Sequence, residues 1–154
     1  MAVEPKKYFS LDRVSILKTT SKNDVLSELV DLLSKSPCVK DRIHVLEKIM
    51  EREATLSTGV GQGLALPHVK ISCISDFVLS VGVSKAGIEF DSLDGKPAHI
   101  IVMIGCHESQ AGQYMQMLSK LVRSLKEEAF RKRILDCETE EEIFEVLTGP
   151  GGIS

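Results

Sequence analysis

Hydrophobic residues recur at helical spacing in two segments of the first third of the chain. Ser21 is placed to cap the first helix, because the acidic Asp24 follows three positions later. The second segment covers residues 41–52. The apolar positions predicted to face a core are Val25, Leu26, Leu29, Leu32 and Leu33, then Ile43, Leu46, Ile49 and Met50. The pattern therefore predicts two amphipathic helices before residue 53.

In the middle of the chain the pattern becomes that of strands. Residues 77–83 and 99–104 are apolar runs of β type, and the second is too continuous to leave a face exposed to solvent. Between them, residues 87–95 are predicted to form an extended segment closed by an Asp-Gly turn. A shorter apolar run, residues 64–66, is predicted to be a buried strand that ends at Pro67.

The last third returns to helical spacing. A long helix is predicted for about residues 110–126, and its inward positions are expected to be Ala111, Met115, Leu118, Val122 and Leu125. Phe130, Ile134 and Leu135 indicate a short helix, and residues 139–142 form a capping box before a last one. The terminal residues 149–152 are expected to fray. The order of helices, strands and helices predicts an α/β fold, with a central mixed β-sheet flanked by helices in a single domain.

Composition narrows the classes of function. The 154 residues suffice for one domain, and a net charge of −3 gives no general reason to bind nucleic acid. No apolar run approaches the ~20 residues of a membrane-spanning helix, and the N-terminus lacks the apolar core of a signal peptide. The four cysteines form no C-x-x-C pair, so we expect reduced thiols and a cytoplasmic location.

The segment with the most distinctive chemistry is residues 57–68, Ser-Thr-Gly-Val-Gly-Gln-Gly-Leu-Ala-Leu-Pro-His. Gly59, Gly61 and Gly63 alternate, which matches neither the G-x-G-x-x-G nor the G-x-x-x-x-G-K-[ST] pattern of nucleotide sites. Those sites also need a helix directly after the glycines, whereas a strand-like run follows here. A nucleotide site is therefore rejected, and spacing alone favours a flexible turn for the glycines.

His68 is the sharper candidate for chemistry. A histidine with an ordinary pKa is largely neutral at physiological pH, and its free nitrogen can accept a phosphoryl group. Arg52 is placed to neutralise the phosphoryl oxygens, and Ser57 and Thr58 carry hydroxyls that could donate hydrogen bonds to them. Spacing alone leaves open the alternative that His68 is a structural histidine.

Other histidines are weaker candidates. His107 follows an apolar strand in a loop, where functional side chains often lie, and it is a possible neighbour of the site. His99 opens a strand and is expected to make a strand-end hydrogen bond. Cys106 and His107 are adjacent and lack distant partners, so no metal site is predicted.

Arg52-Glu53 together with residues 57–68 closely resembles the active-site signature of a known family. The family is the IIA phosphocarrier of mannitol/fructose type, from the bacterial phosphoenolpyruvate-dependent sugar phosphotransferase system. The similarity continues through residues 87–97 and covers about residues 11–147 of a single IIA-type domain, 1–154. It implies a mixed sheet flanked by helices, and no metal or organic cofactor.

The resemblance also implies a role for each matching residue. His68 would accept a phosphoryl group from the phosphohistidine of a small carrier protein, and Arg52 would neutralise its charge. The loop from Ser57 to Gly63 would bind the phosphoryl oxygens. The group would then pass to a sugar-specific IIB protein, or the phosphorylation state would be read by a regulatory target protein.

One departure from the family pattern concerns a second histidine, which many members carry early in the long helix. Tyr114-Met115 stands in that place, and a tyrosine hydroxyl can bind phosphate but supplies no imidazolium charge. His107 could substitute from the neighbouring loop. The chain looks most like the stand-alone nitrogen-regulatory branch. The alternatives are a stand-alone IIA subunit for sugar uptake and a binding module that regulates a partner without phosphate turnover.

Overall fold

Two long antiparallel strands form the centre of the sheet in the computed structural model, which describes residues 2–154. They are β5 (Val78–Ile88) and β6 (Ala98–Cys106), and their register runs from Val78 opposite Gly105 to Ile88 opposite Ala98. The chain reverses between them at a turn in which the Gly95 N–H donates to the Ser92 carbonyl at 2.9 Å. The predicted Asp-Gly turn is confirmed.

Four short strands complete the sheet: β1 (Val14–Ile16), β2 (Gly59–Gly61), β3 (Leu64–Ala65) and β4 (His68–Lys70). The strand order is β1-β5-β6-β3-β2, and β4 also pairs with β6. β1 is parallel to β5, β3 and β4 are parallel to β6, and β2 is antiparallel to β3. The sheet is therefore mixed, as predicted.

Five α-helices cover the two faces of the sheet: α1 (Lys22–Leu33), α2 (Arg42–Thr55), α3 (Ala111–Leu125), α4 (Glu128–Leu135) and α5 (Glu140–Thr148). Helices α1 and α2 share one hydrophobic cluster, and α3, α4 and α5 share the other. The Ser21 side chain caps α1, and Thr139 caps α5 by accepting from the Glu142 N–H. The α/β class and the flanking helices are confirmed.

Alternation along β6 explains how one strand serves both clusters. Ile100, Val102 and Ile104 join the cluster of α3, α4 and α5, whereas Ile101 and Met103 join that of α1 and α2. Successive side chains point to opposite faces of a strand, so a strand covered on both sides is apolar at every position. The continuous apolar run is therefore explained by burial on both faces.

The predicted inward face of α3 is wrong at its N-terminal end. The buried positions are Tyr114, Met117, Leu121 and Leu125, whereas Met115 is 60% exposed. Ala111 is also exposed, and Leu118 and Val122 lie at the edge of the buried stripe. The segment contains two overlapping apolar stripes, and the one that includes the Tyr114 ring packs on the sheet.

Two smaller expectations also need correction. In α2 the buried stripe is Val45, Ile49 and Glu53, whereas Ile43 is 65% exposed. The C-terminal tail does not fray: Ile153 is fully buried, and its N–H donates to the Leu147 carbonyl at 2.9 Å. An apolar residue beyond the glycines therefore fixes the end of the chain.

The structure also gives information on membrane-spanning helices, on the cysteines and on metal binding. Within residues 2–154, no helix combines the length and apolarity needed to cross a membrane. All four cysteines are free, with Cys106 and Cys137 buried and the other two half-buried. Over the same residues, no group of three or more His, Cys, Asp and Glu side chains is arranged to hold a metal ion.

Candidate active site

His68 begins β4, immediately after Pro67, and is held against the centre of the sheet. Its register partner on β6 is Ile104, whose N–H donates to the Pro67 carbonyl at 2.9 Å. The β3 and β4 strands thus lie one after the other along the same edge of β6. The histidine is half-buried at a rigid position, as the proline and the apolar run before it suggested.

Two contacts determine which ring nitrogen of His68 is unprotonated. Its Nδ1 lies 3.2 Å from the Leu66 carbonyl oxygen, and its Nε2 lies 3.4 Å from Nη2 of Arg52. A carbonyl can only accept a hydrogen bond and a guanidinium can only donate one. The arrangement therefore fits a neutral ring with the proton on Nδ1 and the lone pair on Nε2.

Electrostatics favour the same neutral ring. Burial lowers the pKa of His68 below its ordinary value of 6.5, and the positive charges of Arg52 and Lys70 lower it further. The Leu66 carbonyl and the Glu53 carboxylate act in the opposite direction on this pKa, but the net shift is downward. A nitrogen nucleophile is therefore available at neutral pH.

A polar cleft of about 380 Å³ opens beside His68. Side chains that line it include Lys48, Glu51, Arg52, Thr55, His68 and Lys70. The last turns of α2 supply one wall and β4 supplies the other. The cleft is open to solvent and has an excess of positive charge, which suits a phosphoryl group bound at Nε2.

A second, smaller cleft of about 190 Å³ lies on another side of the ring and is mostly apolar. Its lining includes Leu56, Ser57, Thr58, Val60, His68 and Tyr114. The Tyr114 ring lies 5.1 Å from the His68 ring, centroid to centroid, and burial raises the pKa of Tyr114 to about 12. The tyrosine is therefore a neutral phenol beside the histidine.

Ser57 and Thr58 are brought close to His68, but their hydroxyls already have partners. The Thr58 hydroxyl and N–H both donate to the buried carboxylate of Glu53, the N–H at 3.0 Å. The Ser57 hydroxyl donates to the Phe90 carbonyl and accepts from the Gly59 N–H at 3.1 Å. In this structure both hydroxyls hold the loop in place.

Glu53 is a residue of the site that sequence reasoning left without a role. Its carboxylate also pairs with the Lys22 ammonium at 2.8 Å, and only 5% of its side chain is exposed. The pair ties the last turn of α2 to α1 and to the strand that begins at Gly59. Its burial could have been predicted from its position, because Glu53 continues the buried stripe of Val45 and Ile49.

The alternate glycines do not line either cleft. A Cβ at Gly59 would overlap the Ser92 hydroxyl oxygen, so Ser92 would have to shift before a larger residue could fit there. Gly61 and Gly63 have φ values of +94° and +78° in the turn between β2 and β3. The structure places them against Asp94 and His99, and their backbone conformation accounts for the spacing.

His107 makes its hydrogen bonds to residues outside the site around His68. It caps the short 3-10 turn before α3: its Nδ1 accepts from the Ser109 N–H at 3.1 Å, and its own N–H donates to Gln110. It lines neither of the two clefts beside His68. His99 makes the predicted strand-end hydrogen bond, 2.8 Å from its Nδ1 to the Ser84 carbonyl. Of the two suggested helpers, Tyr114 is the one that reaches His68.

Lys70 is a second residue that sequence reasoning missed. It follows His68 by two positions on β4, so the two side chains lie on the same face of the strand. Its ammonium lies 4.7 Å from the centre of the Tyr114 ring. Strand periodicity was the signal that could have identified it.

The chain is similar over most of its length to proteins of a known family. Residues 7–149 match the family model described as phosphoenolpyruvate-dependent sugar phosphotransferase system, EIIA 2. The chain is 35% identical over 131 residues to the fructose-specific EIIABC component of Bacillus subtilis, covering 85% of this chain and 21% of that protein. It is 35% identical over 127 residues to the fructose-specific EIIA component of Haloferax volcanii, covering 82% of each. The chain thus spans about a fifth of the length of the first relative.

Solved structures extend the comparison. Nitrogen regulatory protein IIA-Ntr from Neisseria meningitidis superimposes with a TM-score of 0.83 at 25% identity, covering 92% of this chain and 97% of that one. The complex of enzyme IIAMtl with phosphorylated enzyme IIBMtl from Escherichia coli matches with a TM-score of 0.76 and 15% identity, over 90% and 95% of the two chains. The second likeness establishes the fold alone. With the family model covering nearly the whole chain, the protein belongs to the EIIA 2 family of the sugar phosphotransferase system, whose members are phosphotransfer components.

Proposed function

We propose that His68 is the phosphoryl acceptor of this phosphocarrier and that the group is carried on Nε2. The observation that carries the proposal is the pair of ring contacts, Nδ1 to the Leu66 carbonyl and Nε2 to Arg52. They leave Nε2 unprotonated and place its lone pair beside the cationic wall of the polar cleft. A merely structural histidine has no need of a guanidinium at its unprotonated nitrogen.

The donor in this proposal is the phosphohistidine of a small histidine-containing carrier protein. The lone pair of His68 Nε2 forms a new N–P bond while the donor's N–P bond breaks, and that electron pair returns to the donor ring. The phosphorylated ring of His68 then carries a positive charge, since Nδ1 keeps its proton. The Leu66 carbonyl stabilises that charge by accepting the Nδ1–H bond.

Arg52 acts on the phosphoryl oxygens. It donates from the last turns of α2, so that it can neutralise negative charge in the transition state and in the phosphorylated protein. Ser57 and Thr58 act mainly by fixing the shape of the site, with Glu53 as the anchor of Thr58. Gly59, Gly61 and Gly63 contribute through the tight hairpin that places this loop.

The partners dock on the apolar rim beside His68, according to this proposal. Leu56, Val60 and Met115 are exposed by 65%, 44% and 60%. A partner that covers these side chains would exclude water from the phosphoryl group during transfer and so limit hydrolysis. Transfer takes place in the cytoplasm, where the four free thiols would remain reduced.

The acceptor is either a regulatory target protein or a sugar-specific IIB. The structural likeness to IIA-Ntr supports a regulatory role, which we favour, and the two fructose-specific relatives support the sugar-uptake alternative. Both roles use the same phosphohistidine. They are distinguished by offering the phosphorylated protein a fructose-type IIB, because only a sugar-uptake subunit transfers to it at a useful rate.

The test is reconstitution with a phosphoenolpyruvate-driven donor chain. The wild-type protein is expected to take up an acid-labile phosphoryl group with the ³¹P signal of an Nε2-phosphohistidine, and His68→Ala is expected to take up none. His107→Ala and His44→Ala are matched controls that should retain full labelling. Equal labelling of His68→Ala would overturn the assignment of the acceptor.

A binding module without phosphate turnover makes the opposite prediction. Such a protein would bind its target when unphosphorylated, and His68→Ala would bind and regulate as well as the wild type does. Loss of regulation in His68→Ala, with unchanged folding by circular dichroism, supports the phosphocarrier.

A further inference from the structure

We propose that Lys70 is the second cationic group that holds the phosphoryl group on His68, and that Tyr114 positions it. The inference rests on the proposed function of His68 and gives Lys70 a role in transfer. It also accounts for a tyrosine packed against the histidine. Lys70 forms and breaks no covalent bond in this scheme; it supplies charge and hydrogen bonds.

The backbone places Lys70 next to the reacting ring. His68 and Lys70 occupy the two ends of β4, and Val69 between them is buried on the opposite side of the strand. Lys70 lies opposite Cys106 in the register with β6, the central strand of the sheet. The start of the lysine side chain is therefore as firmly held as the histidine itself.

The side-chain end is held by an aromatic ring. The Lys70 ammonium lies 4.7 Å from the centre of the Tyr114 ring, and the same ring lies 5.1 Å from the ring of His68. Tyr114 is only 4% exposed, so it is a fixed surface on which both side chains rest. A cation over an aromatic face is attracted by the ring quadrupole, which directs a flexible lysine toward one position.

The charge of a bound phosphoryl group explains why a second cation is useful in the polar cleft. A phosphoryl group carries nearly two negative charges at neutral pH, and one guanidinium balances only part of them. Arg52 comes from α2 and Lys70 from β4, and both line the cleft that contains His68. Two cations from two separate elements can therefore contact different oxygens of one phosphoryl group, as lysine and arginine do in many phosphate sites.

Tyr114 has a positioning role in this arrangement. With its pKa raised to about 12, it remains neutral and adds no charge of its own. Its contribution is a ring that locates Lys70 and packs on His68. Replacing the ring by an aliphatic side chain should therefore free the lysine without removing it.

The first experiment compares single-turnover transfer from the phosphorylated donor to wild type, Lys70→Gln, Lys70→Arg and Lys18→Gln. Lys70→Gln should slow transfer by roughly tenfold, the effect of one charge-assisted contact. Lys70→Arg should recover most of the rate. Lys18 is an exposed residue outside both clefts, so Lys18→Gln makes the same change in net charge and serves as the control. Equal loss in Lys18→Gln and Lys70→Gln would overturn the proposal, as would a wild-type rate in Lys70→Gln.

The second experiment uses the unphosphorylated protein and separates this inference from the proposed function. Because the charge of Lys70 helps to lower the pKa of His68, Lys70→Gln should raise that pKa in an NMR titration, and Lys18→Gln should not. An unchanged pKa in Lys70→Gln contradicts the placement of the ammonium. If the wild type takes no phosphoryl group on His68, the proposed function fails, whatever the titration shows.

A double-mutant cycle tests the positioning role of Tyr114. Tyr114→Leu should slow transfer, and Tyr114→Phe, which keeps a ring, should lose less. Adding Tyr114→Leu to Lys70→Gln should cost less than it does in the wild type, because the ring then has no cation to locate. Additive losses would show that Tyr114 acts independently of Lys70 and would overturn the positioning role.

Discussion

The two nitrogens of His68 have different partners, and this difference decides what the residue can do. Nδ1 faces a carbonyl that requires a proton there, and Nε2 faces a guanidinium that requires a lone pair. Neither partner is compatible with the opposite tautomer. The protonation pattern of this ring is therefore fixed by the backbone at Leu66 and by the end of α2.

The first residue-scale prediction concerns the pKa of His68. Burial and two nearby cations lower this pKa, so at pH 6.5 a larger fraction of the ring should be neutral than in an ordinary histidine, and transfer should decline at a lower pH than such a histidine would allow. A titration followed by ¹H–¹⁵N NMR measures the value. Arg52→Gln should raise it, because a positive charge is removed. A His68 pKa at or above 6.5 in the wild type would contradict the electrostatic description of the site.

The same shift predicts how stability depends on pH. Since the folded pKa lies below the unfolded value of 6.5, the unfolded chain binds the proton more readily, and the free energy of unfolding should fall as the pH drops below 6.5. Urea unfolding at pH 7.5 and 5.5 measures the difference. His68→Gln should show a smaller loss between the two pH values. An equal loss in both proteins would show that other groups cause the change.

Glu53 carries the third prediction at this scale. Glu53→Gln leaves the Lys22 ammonium without its carboxylate and weakens the hold on Thr58, so we expect a loss of about 3 kcal/mol in the free energy of unfolding. Glu47→Gln, an exposed position of the same helix, is the control and should change it by less than about 0.5 kcal/mol. Equal urea midpoints for the two variants would contradict the role of Glu53.

At the scale of elements, the long helix α3 shows how packing chooses between two stripes of one sequence. The stripe that packs on the sheet contains Tyr114 and Met117, and it leaves Met115 in solvent. This choice brings the Tyr114 ring to His68 and leaves the apolar side chain of Met115 exposed. In the proposed scheme, the orientation of this one helix supplies both the ring that positions Lys70 and part of the docking surface.

Two methionines of this helix form a matched pair for a test. Met117 is fully buried and Met115 is 60% exposed. Met117→Ala should lower the free energy of unfolding by about 2–5 kcal/mol, the usual cost of a core truncation, and Met115→Ala by less than about 0.5 kcal/mol. Urea denaturation of both variants decides between the two orientations. A larger loss of unfolding free energy for Met115→Ala would instead support the orientation predicted from the sequence.

At the scale of the whole molecule, the features predicted from sequence are those with local causes. Capping residues located the helix starts at Ser21 and Thr139, and continuous apolar composition located the central strands. His68 and Arg52 were predicted as site residues because they belong to a long local motif. Glu53 and Lys70 were not predicted to take part in the site, because their contacts are with Lys22 and Tyr114, which lie more than 30 positions away along the chain.

The glycines illustrate the same limit. The family resemblance implied a loop that binds phosphoryl oxygens, whereas in the structure Gly59 packs against Ser92, and Gly61 lies beside Asp94. Both partners come from the turn before β6, about thirty residues later in the chain. Only the folded sheet shows that these glycines lie close to other residues of the protein. The distinction between a ligand loop and a packing loop therefore belongs to the tertiary fold.

The buried thiols give a prediction for the molecule as a unit. Cys106 is fully buried at the end of β6, and burial raises its pKa to about 11, whereas Cys38 and Cys73 are half-buried. A thiol reagent needs access and a thiolate. In native protein, Cys106 should react only when the central sheet opens, so its labelling rate should follow the global free energy of unfolding. The measurement is labelling with a chromogenic disulfide at increasing urea, and comparison with Cys106→Ala isolates the contribution of Cys106 from that of the buried Cys137. Fast labelling of Cys106 without urea would mean that the edge of the sheet beside His68 opens independently of the rest.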